Sequence, residues 1–403
     1  MLAPLPPEIW IHIIRLATLP ASDLGVAHAY RPFRTSHDAI DRSSLQTKRT
    51  VVQVCRLWRA LATPMLYEDI DVRHNPRTLR GIIDTGDPEQ PGYGRWVRRL
   101  ELPYTHTETA THNSTSGVLE VLKSCHGLET LIRPFSRAPL GSIRYEFSAD
   151  IVPMPSLKRL EWWHHNDAAR TGGVNSLVDV LPHTPNLQYL AVGGEWWMSS
   201  GKPGAAPLEL PALTTLRLWR LNPFFLWLIC RWSLPSLTHV IVDFPTEYGA
   251  LGGFWEVYGP HLTTLELGKN VAFLLDDQIT SFLRACPNLT TLNYVIHFTR
   301  YPHITASHPL RCIGIHSAPC AMLDDRSSDA YWDHLNGHFD FISCPLLPEL
   351  RKVVLYGDWQ WICEEARFKA FRRALPRQVS VITAGDIHHS VALSPPGDIF
   401  VGG

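Results

Sequence analysis

The sequence carries no excess charge of either sign. Lysine and arginine total 37, aspartate and glutamate total 38, and the net charge is −1. Proteins that bind nucleic acid or an anionic membrane surface through charge have a marked basic excess, so we expect neither as a partner. Hydrophobic residues make up 45% of the 403 residues, which excludes a disordered chain and is enough for a large core.

Signals for targeting, membrane insertion and redox chemistry are also missing. The N-terminus has no basic segment followed by an apolar core, as a signal peptide would. The longest dense apolar cluster, 224 to 230, is far shorter than the roughly 18 residues of a membrane span. None of the eight cysteines forms a CxxC pair, so we expect reduced thiols. These absences predict a protein of the cytoplasm, the nucleus or both.

Motifs of catalysis and metal binding are absent as well. We find no GxSxG, no GxxxxGK followed by Ser or Thr, no HExxH and no glycine-rich dinucleotide loop. Of the 20 histidines, His297, His303 and His308 lie closest to a group, but without an acidic partner at ligand spacing. We therefore expect no catalytic residues, no metal and no cofactor. An enzyme whose active site is scattered over the fold is the remaining alternative.

Proline, in contrast, is abundant: 32 residues of 403, where about 5% is usual. Many of these prolines open one recurring unit, Pro-x-Leu-x-x-Leu-x-apolar. The first leucine of the unit recurs at positions 128, 157, 187, 213, 237, 262, 289, 310 and 350. Most of the steps are close to the 20 to 29 residues of a leucine-rich repeat. The last step, of 40 residues, predicts an insertion with its loop at Ala318 to Ser328.

Each unit predicts one helix, a proline that ends it, and one short strand with alternating burial. No unit buries its apolar face alone, but stacked units share a continuous core. The predicted fold is α/β: an irregular leucine-rich-repeat solenoid with parallel strands on the concave side and helices on the convex side. Predicted helices are Val118 to Cys125, Leu177 to Leu181, Phe254 to Tyr258, Gln278 to Cys286, Tyr331 to Ile342 and a closing helix, Glu364 to Leu375.

The first 72 residues have a different pattern. They predict a helix from Leu5 to Thr18, a second helix from Ser43 to about Ala62 that ends before Pro64, and a short strand near Ile70. Both helices are apolar on more than one side, so they must dock on the rest of the chain or on a partner.

Two motifs in this region carry a resemblance. Leu5-Pro6-Pro7-Glu8-Ile9, together with Val54-Cys55-Arg56-Leu57-Trp58-Arg59, resembles the F-box in the form common among fungal F-box proteins. The resemblance covers about residues 4 to 72, and the stretch from 20 to 45 is longer than in the compact F-box. It implies docking on the Skp-type adaptor of a cullin-based ubiquitin ligase, through Leu5, Pro6, Ile9, Ile13, Val54, Cys55 and Trp58. Trp58 has a second interpretation, as part of the module's own core.

The predicted domains are the F-box-like module (1–72), the solenoid (73–380) and a weakly ordered tail (381–403). Strand alternation assigns outward-facing residues to the concave side, and exposed Trp, Tyr and Arg dominate the energetics of interfaces. We therefore expect a protein substrate to bind at Arg159, Trp163, Tyr189, Arg217, Trp219, His239 and Asp243. Alternatively, the aromatic residues of this set seal loops against the solenoid.

The resemblance and the repeats together predict a non-catalytic substrate-recognition subunit of a Skp/cullin/F-box-type ubiquitin ligase. Partner proteins would transfer the ubiquitin, and the solenoid would hold the protein to be modified. The alternative is a leucine-rich-repeat scaffold that uses the same parts outside a ubiquitin ligase.

Overall fold

A computed structural model of the chain describes residues 5–18, 30–34, 42–71, 76–83, 92–101, 121–133, 154–164, 177–194, 207–219, 223–243, 251–323 and 325–384. Parts of the 20–45 stretch and the predicted tail from 385 onward lie outside these residues. Among the helices that are described, none is both long enough and apolar enough to cross a bilayer.

One parallel sheet organises the described chain. Its twelve strands lie in the sheet in the order in which they occur in the sequence. Each connection therefore leaves the sheet and returns to lay down the next strand beside the last, which confirms the α/β class and gives a solenoid-like fold. The strands are β1 Asp69–Asp71, β2 Arg99–Glu101, β3 Thr130–Arg133, β4 Arg159–His164, β5 Tyr189–Gly194, β6 Thr215–Trp219, β7 His239–Val242, β8 Thr264–Leu267, β9 Thr291–Val295, β10 Cys312–His316, β11 Lys352–Tyr356 and β12 Ser380–Thr383.

Helices lie in most of the connections as far as these are described, and every predicted inter-strand helix is present in the described residues. The first predicted one is helical over 121–124. The predicted closing helix is two helices that meet at Glu365. The α-helices are α1 Pro7–Thr18, α2 Arg42–Val54, α3 Arg56–Tyr67, α4 Pro76–Ile83, α5 Leu177–Val180, α6 Pro223–Ile229, α7 Gly252–Tyr258, α8 Ala272–Leu275, α9 Gln278–Ala285, α10 Asp329–Ser343, α11 Gln360–Glu364 and α12 Ala366–Ala374.

The repeat leucines form the core. All nine predicted positions, from Leu128 to Leu350, are buried. The second apolar position of each unit, mostly leucine, lies on a strand and pairs in register with its equivalent on the next strand, as Leu160 does with Leu190. The buried side chains join into one cluster from Ile70 to Leu375. We call the opposite side of the sheet, which carries the residues flanking these strand leucines, the front face.

The prolines of the repeat have a more specific role than the one predicted. In Met154-Pro155-Ser156-Leu157, the leucine N–H donates to the Met154 carbonyl at 3.1 Å, which closes a four-residue turn with proline in second position. The fixed φ of proline suits that position. The same closure occurs at Leu187, Leu213, Leu237, Leu262, Leu289 and Leu350. Each of these seven prolines therefore occupies a turn that directs the chain into the next strand, in addition to ending a helix.

Side chains next to these prolines link neighbouring repeats. Asn186 Nδ2 donates to the Pro155 carbonyl at 2.8 Å, and Asn288 Nδ2 donates to the Pro260 carbonyl at 2.8 Å. The asparagine that leucine-rich repeats usually place after the strand is mostly absent from this sequence. Here an amide before the strand bonds to the preceding turn and satisfies a backbone carbonyl that would otherwise need water.

The N-terminal helices pack into a small module. Ile14, Val51, Ala62 and Met65 form its core, and Trp58 packs against them half-buried. The predicted single helix from Ser43 to Ala62 is wrong. It breaks at Cys55, which is extended at φ −158° and ψ 170° and caps α3, with its Sγ accepting from the Trp58 N–H at 3.4 Å.

Pro64 does not stop α3, which continues to Tyr67. A proline inside a helix leaves the carbonyl four residues earlier without its donor, here that of Ala60. Ala60 is exposed, so solvent has access to the position of the missing donor. The helix tolerates the proline because the gap faces solvent.

One strand lies at each end of the predicted solenoid. Strand β1 (69–71) falls within the predicted N-terminal module but pairs with β2 as the first strand of the sheet. Strand β12 (380–383) extends into the predicted weakly ordered tail but pairs with β11 in register. Val381 and its neighbours therefore continue the sheet past residue 380, where the predicted tail begins.

Three buried histidines lie where α10 packs on the segment that follows β9. His334 Nε2 donates to the Ile296 carbonyl and His338 Nε2 to the Thr299 carbonyl, both at 2.8 Å. Burial lowers the pKa of His297 to about 4. It also lowers the pKa of His334, and burial next to His334 lowers that of His338. All three rings are therefore neutral near pH 7, which suits a buried site.

We predict that these three histidines reduce the stability of the folded state as the pH falls below about 6.5. The unfolded chain binds protons there that these buried histidines cannot, so the free energy of unfolding decreases from about pH 6.5 towards pH 4. His297 alone accounts for about 3 kcal/mol, since one pKa unit corresponds to about 1.4 kcal/mol. Urea unfolding at several pH values measures this. His297→Gln should flatten the pH dependence, whereas a change at the exposed His261 should leave it as in the wild type.

Candidate protein-binding surfaces

The N-terminal module leaves a set of large apolar side chains uncovered by the described residues. Their relative exposures lie between 41% and 56%. Four follow one side of α1 and its approach at helical spacing, and two lie at the junction of α2 and α3. We call this set the apolar face of the module: Leu5, Ile9, Ile13, Leu16, Val54 and Leu57.

Most residues predicted to contact an adaptor lie on or beside this face. Pro6 and Cys55 are exposed, as are the four predicted residues that belong to the apolar face. Trp58 is half-buried, and its ring lies 5.0 Å from that of Trp10. This contact holds α1 against the start of α3, so Trp58 contributes to the module's own packing.

On the front face, two of the predicted substrate-binding residues are buried rather than exposed. Tyr189 is 3% exposed and Arg217 is 6% exposed. Tyr189 is covered by the Arg159 guanidinium, 3.9 Å from the ring centre. Arg217 of β6 pairs with Asp243, the residue that follows β7. The expectation that both are exposed is wrong, because charged neighbours on adjacent strands stack over the ring and pair with the charge.

Trp163 and Trp219 meet over a glycine on the strand between them. Trp163 pairs in register with Gly193 of β5, and Gly193 pairs with Trp219 of β6. The centres of the two indole rings are 5.8 Å apart, and the rings meet edge to face. A side chain at Gly193 would lie between them, so the glycine makes this contact possible. Both tryptophans are partly exposed at the end of the front face where their strands finish.

A segment of the N-terminal region crosses the front face. Residues Tyr30 to Arg34, which we call the resident segment, contact one residue on each of six successive strands, β6 to β11. The contacted residues are Arg217, His239, Glu266, Asn293, His316 and Tyr356.

Tyr30 is the first anchor of the resident segment. Its hydroxyl donates to Glu266 Oε2 at 2.7 Å and accepts from Asn293 Nδ2 at 2.8 Å. Its ring lies 5.1 Å from the His239 imidazole. A phenol hydroxyl both donates and accepts, so it is complementary to a carboxylate beside an amide. The side chains of Glu266 on β8 and Asn293 on β9 therefore favour tyrosine at this position.

Phe33 is the second anchor. Its backbone N–H donates to Glu266 Oε2 at 3.0 Å, and its ring lies 5.1 Å from both His316 and Tyr356 in edge contacts. Gly314 lies on the strand between Asn293 and Val354. A Cβ there would collide with Asn293 Oδ1, so Gly314 leaves the space that the Asn293 side chain needs.

Backbone geometry shapes the segment as a turn. The Arg34 N–H donates to the Arg31 carbonyl at 3.4 Å, with Pro32 second and Phe33 third in the turn. Phe33 has φ +63°, which is uncommon for a residue with a side chain. These features are typical of a type II turn, whose third residue is usually glycine. Arg217 Nη1 donates to the Arg34 carbonyl at 2.7 Å and so holds the end of the turn.

Glu266 and Tyr30 each affect the pKa of the other. Burial raises the pKa of Glu266 to about 7, and Arg217 and the hydrogen bond from Tyr30 oppose that rise. Burial, with Glu266 beside it, raises the pKa of Tyr30 well above its usual value, so the phenol stays protonated. A buried carboxyl group needs donors. The resident segment supplies two of them to one oxygen.

The sequence gives weak signals for this site. Strand alternation places Glu266, Asn293, His316 and Tyr356 on the front face, but no feature of the sequence singles them out. The only cue for the resident segment is Tyr30-Arg31-Pro32-Phe33-Arg34 itself, two aromatic residues, a proline and two arginines in a stretch with no helical or strand pattern. No protein-family model matches the sequence, and no curated protein matches it significantly.

We predict that Gly193→Ala destabilises the protein by about 1 to 3 kcal/mol, the usual range for overpacking. A Cβ at this position would lie 2.6 Å from the Trp219 carbonyl oxygen and 2.7 Å from the Trp219 Cβ. The near-ultraviolet circular dichroism of the tryptophan pair should change along with the urea midpoint. Gly253→Ala is the matched control, because a Cβ there meets no atom within 4 Å and alanine favours the helix. Equal effects of the two changes would contradict the prediction.

Proposed function

We propose that this chain is the substrate-recognition subunit of a Skp/cullin/F-box-type ubiquitin ligase. The observation that carries the proposal is the apolar face of the N-terminal module. Six large apolar side chains are about half exposed there, on a module whose own core is small. Large apolar side chains left exposed at helical spacing are typical of a protein-binding surface.

The position of this face supports the choice of partner. Leu5, Ile9 and Val54 belong both to the apolar face and to the two motifs that resemble the F-box. On that resemblance the partner is a Skp-type adaptor, through which a cullin is recruited. Fully burying a leucine or isoleucine side chain contributes about 1.5 to 3 kcal/mol, so several half-exposed ones leave a substantial driving force for docking.

The sheet supplies the second half of the proposed function. Its front face presents charged and aromatic side chains in register on consecutive strands, and it already holds a polypeptide segment through hydrogen bonds and ring contacts. A protein substrate bound there would be modified by the partner enzymes of the complex. We propose that this occurs in the cytoplasm, the nucleus or both.

We predict that Ile9→Glu combined with Val54→Glu abolishes adaptor binding. Each change places a charge where an apolar contact would form, so we expect at least about a tenfold loss of co-purified adaptor, which corresponds to about 1.4 kcal/mol. Both side chains are exposed, so the thermal midpoint should not change. Co-expression of the full chain with a Skp-type adaptor, followed by quantified pull-down, measures the effect.

Leu275→Glu is the matched control. Leu275 is as exposed as Val54, at 56%, but lies on α8 of the repeat region. It should leave adaptor recovery unchanged. Absence of adaptor in the wild-type pull-down would refute the proposal. Adaptor without cullin, or no ubiquitin-dependent turnover of any bound protein, would favour a scaffold outside a ubiquitin ligase.

A further inference from the structure

We propose that the front face over β6 to β11 is a binding site for a Tyr-x-Pro-Phe turn of a partner protein, and that the resident segment occupies this site as an internal ligand. The inference specifies the partner class for the substrate-binding half of the proposed function and rests on that function only for the partner's role. The binding chemistry itself stands on the contacts of the resident segment.

The contacts have the composition of peptide recognition. Two of them, from the Phe33 N–H to Glu266 and from Arg217 to the Arg34 carbonyl, use backbone groups that any peptide offers. The others recognise two side chains, the Tyr30 hydroxyl and the Phe33 ring. A segment from another chain would satisfy the same groups if it carried tyrosine and phenylalanine three positions apart.

The turn fixes the spacing of the two anchors. Pro32 occupies the second position of the turn, and its fixed φ reduces the entropy that a free peptide loses on binding. Phe33 takes the left-handed conformation that a residue with a side chain normally avoids. Such strain persists only where the surroundings hold it in place, and it concentrates at functional sites. Glu266, His316 and Tyr356 are the surroundings here.

The buried polar residues of the front face require a bound segment to supply their hydrogen-bond partners. Glu266 and Asn293 are almost fully buried beneath the resident segment, at 2% exposure each. The hydrogen bonds join residues that are 183 to 263 positions apart in sequence, so none of them is imposed by local chain geometry. A tethered segment acts at a local concentration of roughly millimolar, so a partner must either match it closely or present several copies.

The test uses a fluorescein-labelled peptide of residues 28–36, His-Ala-Tyr-Arg-Pro-Phe-Arg-Thr-Ser, and the purified full chain without adaptor. In Tyr30→Ala/Phe33→Ala the internal ligand loses both anchors. We expect saturable binding to this variant, at least tenfold tighter than to the wild type, measured by fluorescence anisotropy. Binding of the same strength to both proteins, or to neither, would overturn the inference.

Two controls assign the binding to the front face. A peptide with alanine at both anchor positions should not bind. Adding Glu266→Ala to the double variant should weaken binding of the original peptide at least tenfold, because two donors of the ligand lose their acceptor. If Glu266→Ala leaves the affinity unchanged, the peptide binds elsewhere and the inference fails.

The double variant also tests whether the segment is a permanent part of the fold. If Tyr30→Ala/Phe33→Ala unfolds, a second measurement on the wild type decides. Excess unlabelled peptide should speed hydrogen exchange at the Phe33 amide, because that N–H loses its acceptor when the segment is displaced. Unchanged exchange at millimolar peptide would show a fixed structural segment and overturn the inference. Adaptor binding is measured separately, so failure here is distinct from failure of the proposed function.

Discussion

A strand of this sheet cannot bury its leucine side chain without the neighbouring repeats, and the rest of the structure depends on that constraint. Each strand is short, and its leucine reaches the core only when neighbouring repeats cover it from both sides. The buried side chains accordingly form one cluster from Ile70 to Leu375. The turn that aims each leucine is closed by the leucine's own N–H. Each repeat is therefore encoded in a few adjacent residues, whereas its stability comes from the stack.

The same stacking determines the front face. In-register pairing places Arg217, Ile241, Glu266, Asn293 and Gly314 side by side on five consecutive strands. With strands about 4.8 Å apart, this row spans about 19 Å, a length that a short peptide turn and its flanks can cover. A carboxyl, a guanidinium and an amide in one row need partners once they are covered. The resident segment supplies them, so the core repeat creates a polypeptide site on the other side of the sheet.

The features that the sequence predicts are those with a local cause. The proline-leucine unit, the strand positions and the inter-strand helices follow from spacing, and the structure contains them. The break at Cys55 and the passage of α3 through Pro64 escape prediction, because they depend on how Trp58 packs and which carbonyl faces water. Burial of Tyr189 and Arg217 escapes it too. Tyr189 is covered by Arg159 of the adjacent strand, and Arg217 is covered in part by Arg34, 183 residues away.

The two surfaces of the chain differ in what a partner must overcome. The apolar face of the module is uncovered among the described residues, so a docking protein gains apolar burial without displacing them. On the front face, a partner must first displace Tyr30 and Phe33, which are tethered to the same chain. The observed affinity for such a partner is its intrinsic affinity reduced by the fraction of chains in which the site is open. Occupation of the site therefore favours partners that reproduce both anchors over those that contact the sheet through charge alone.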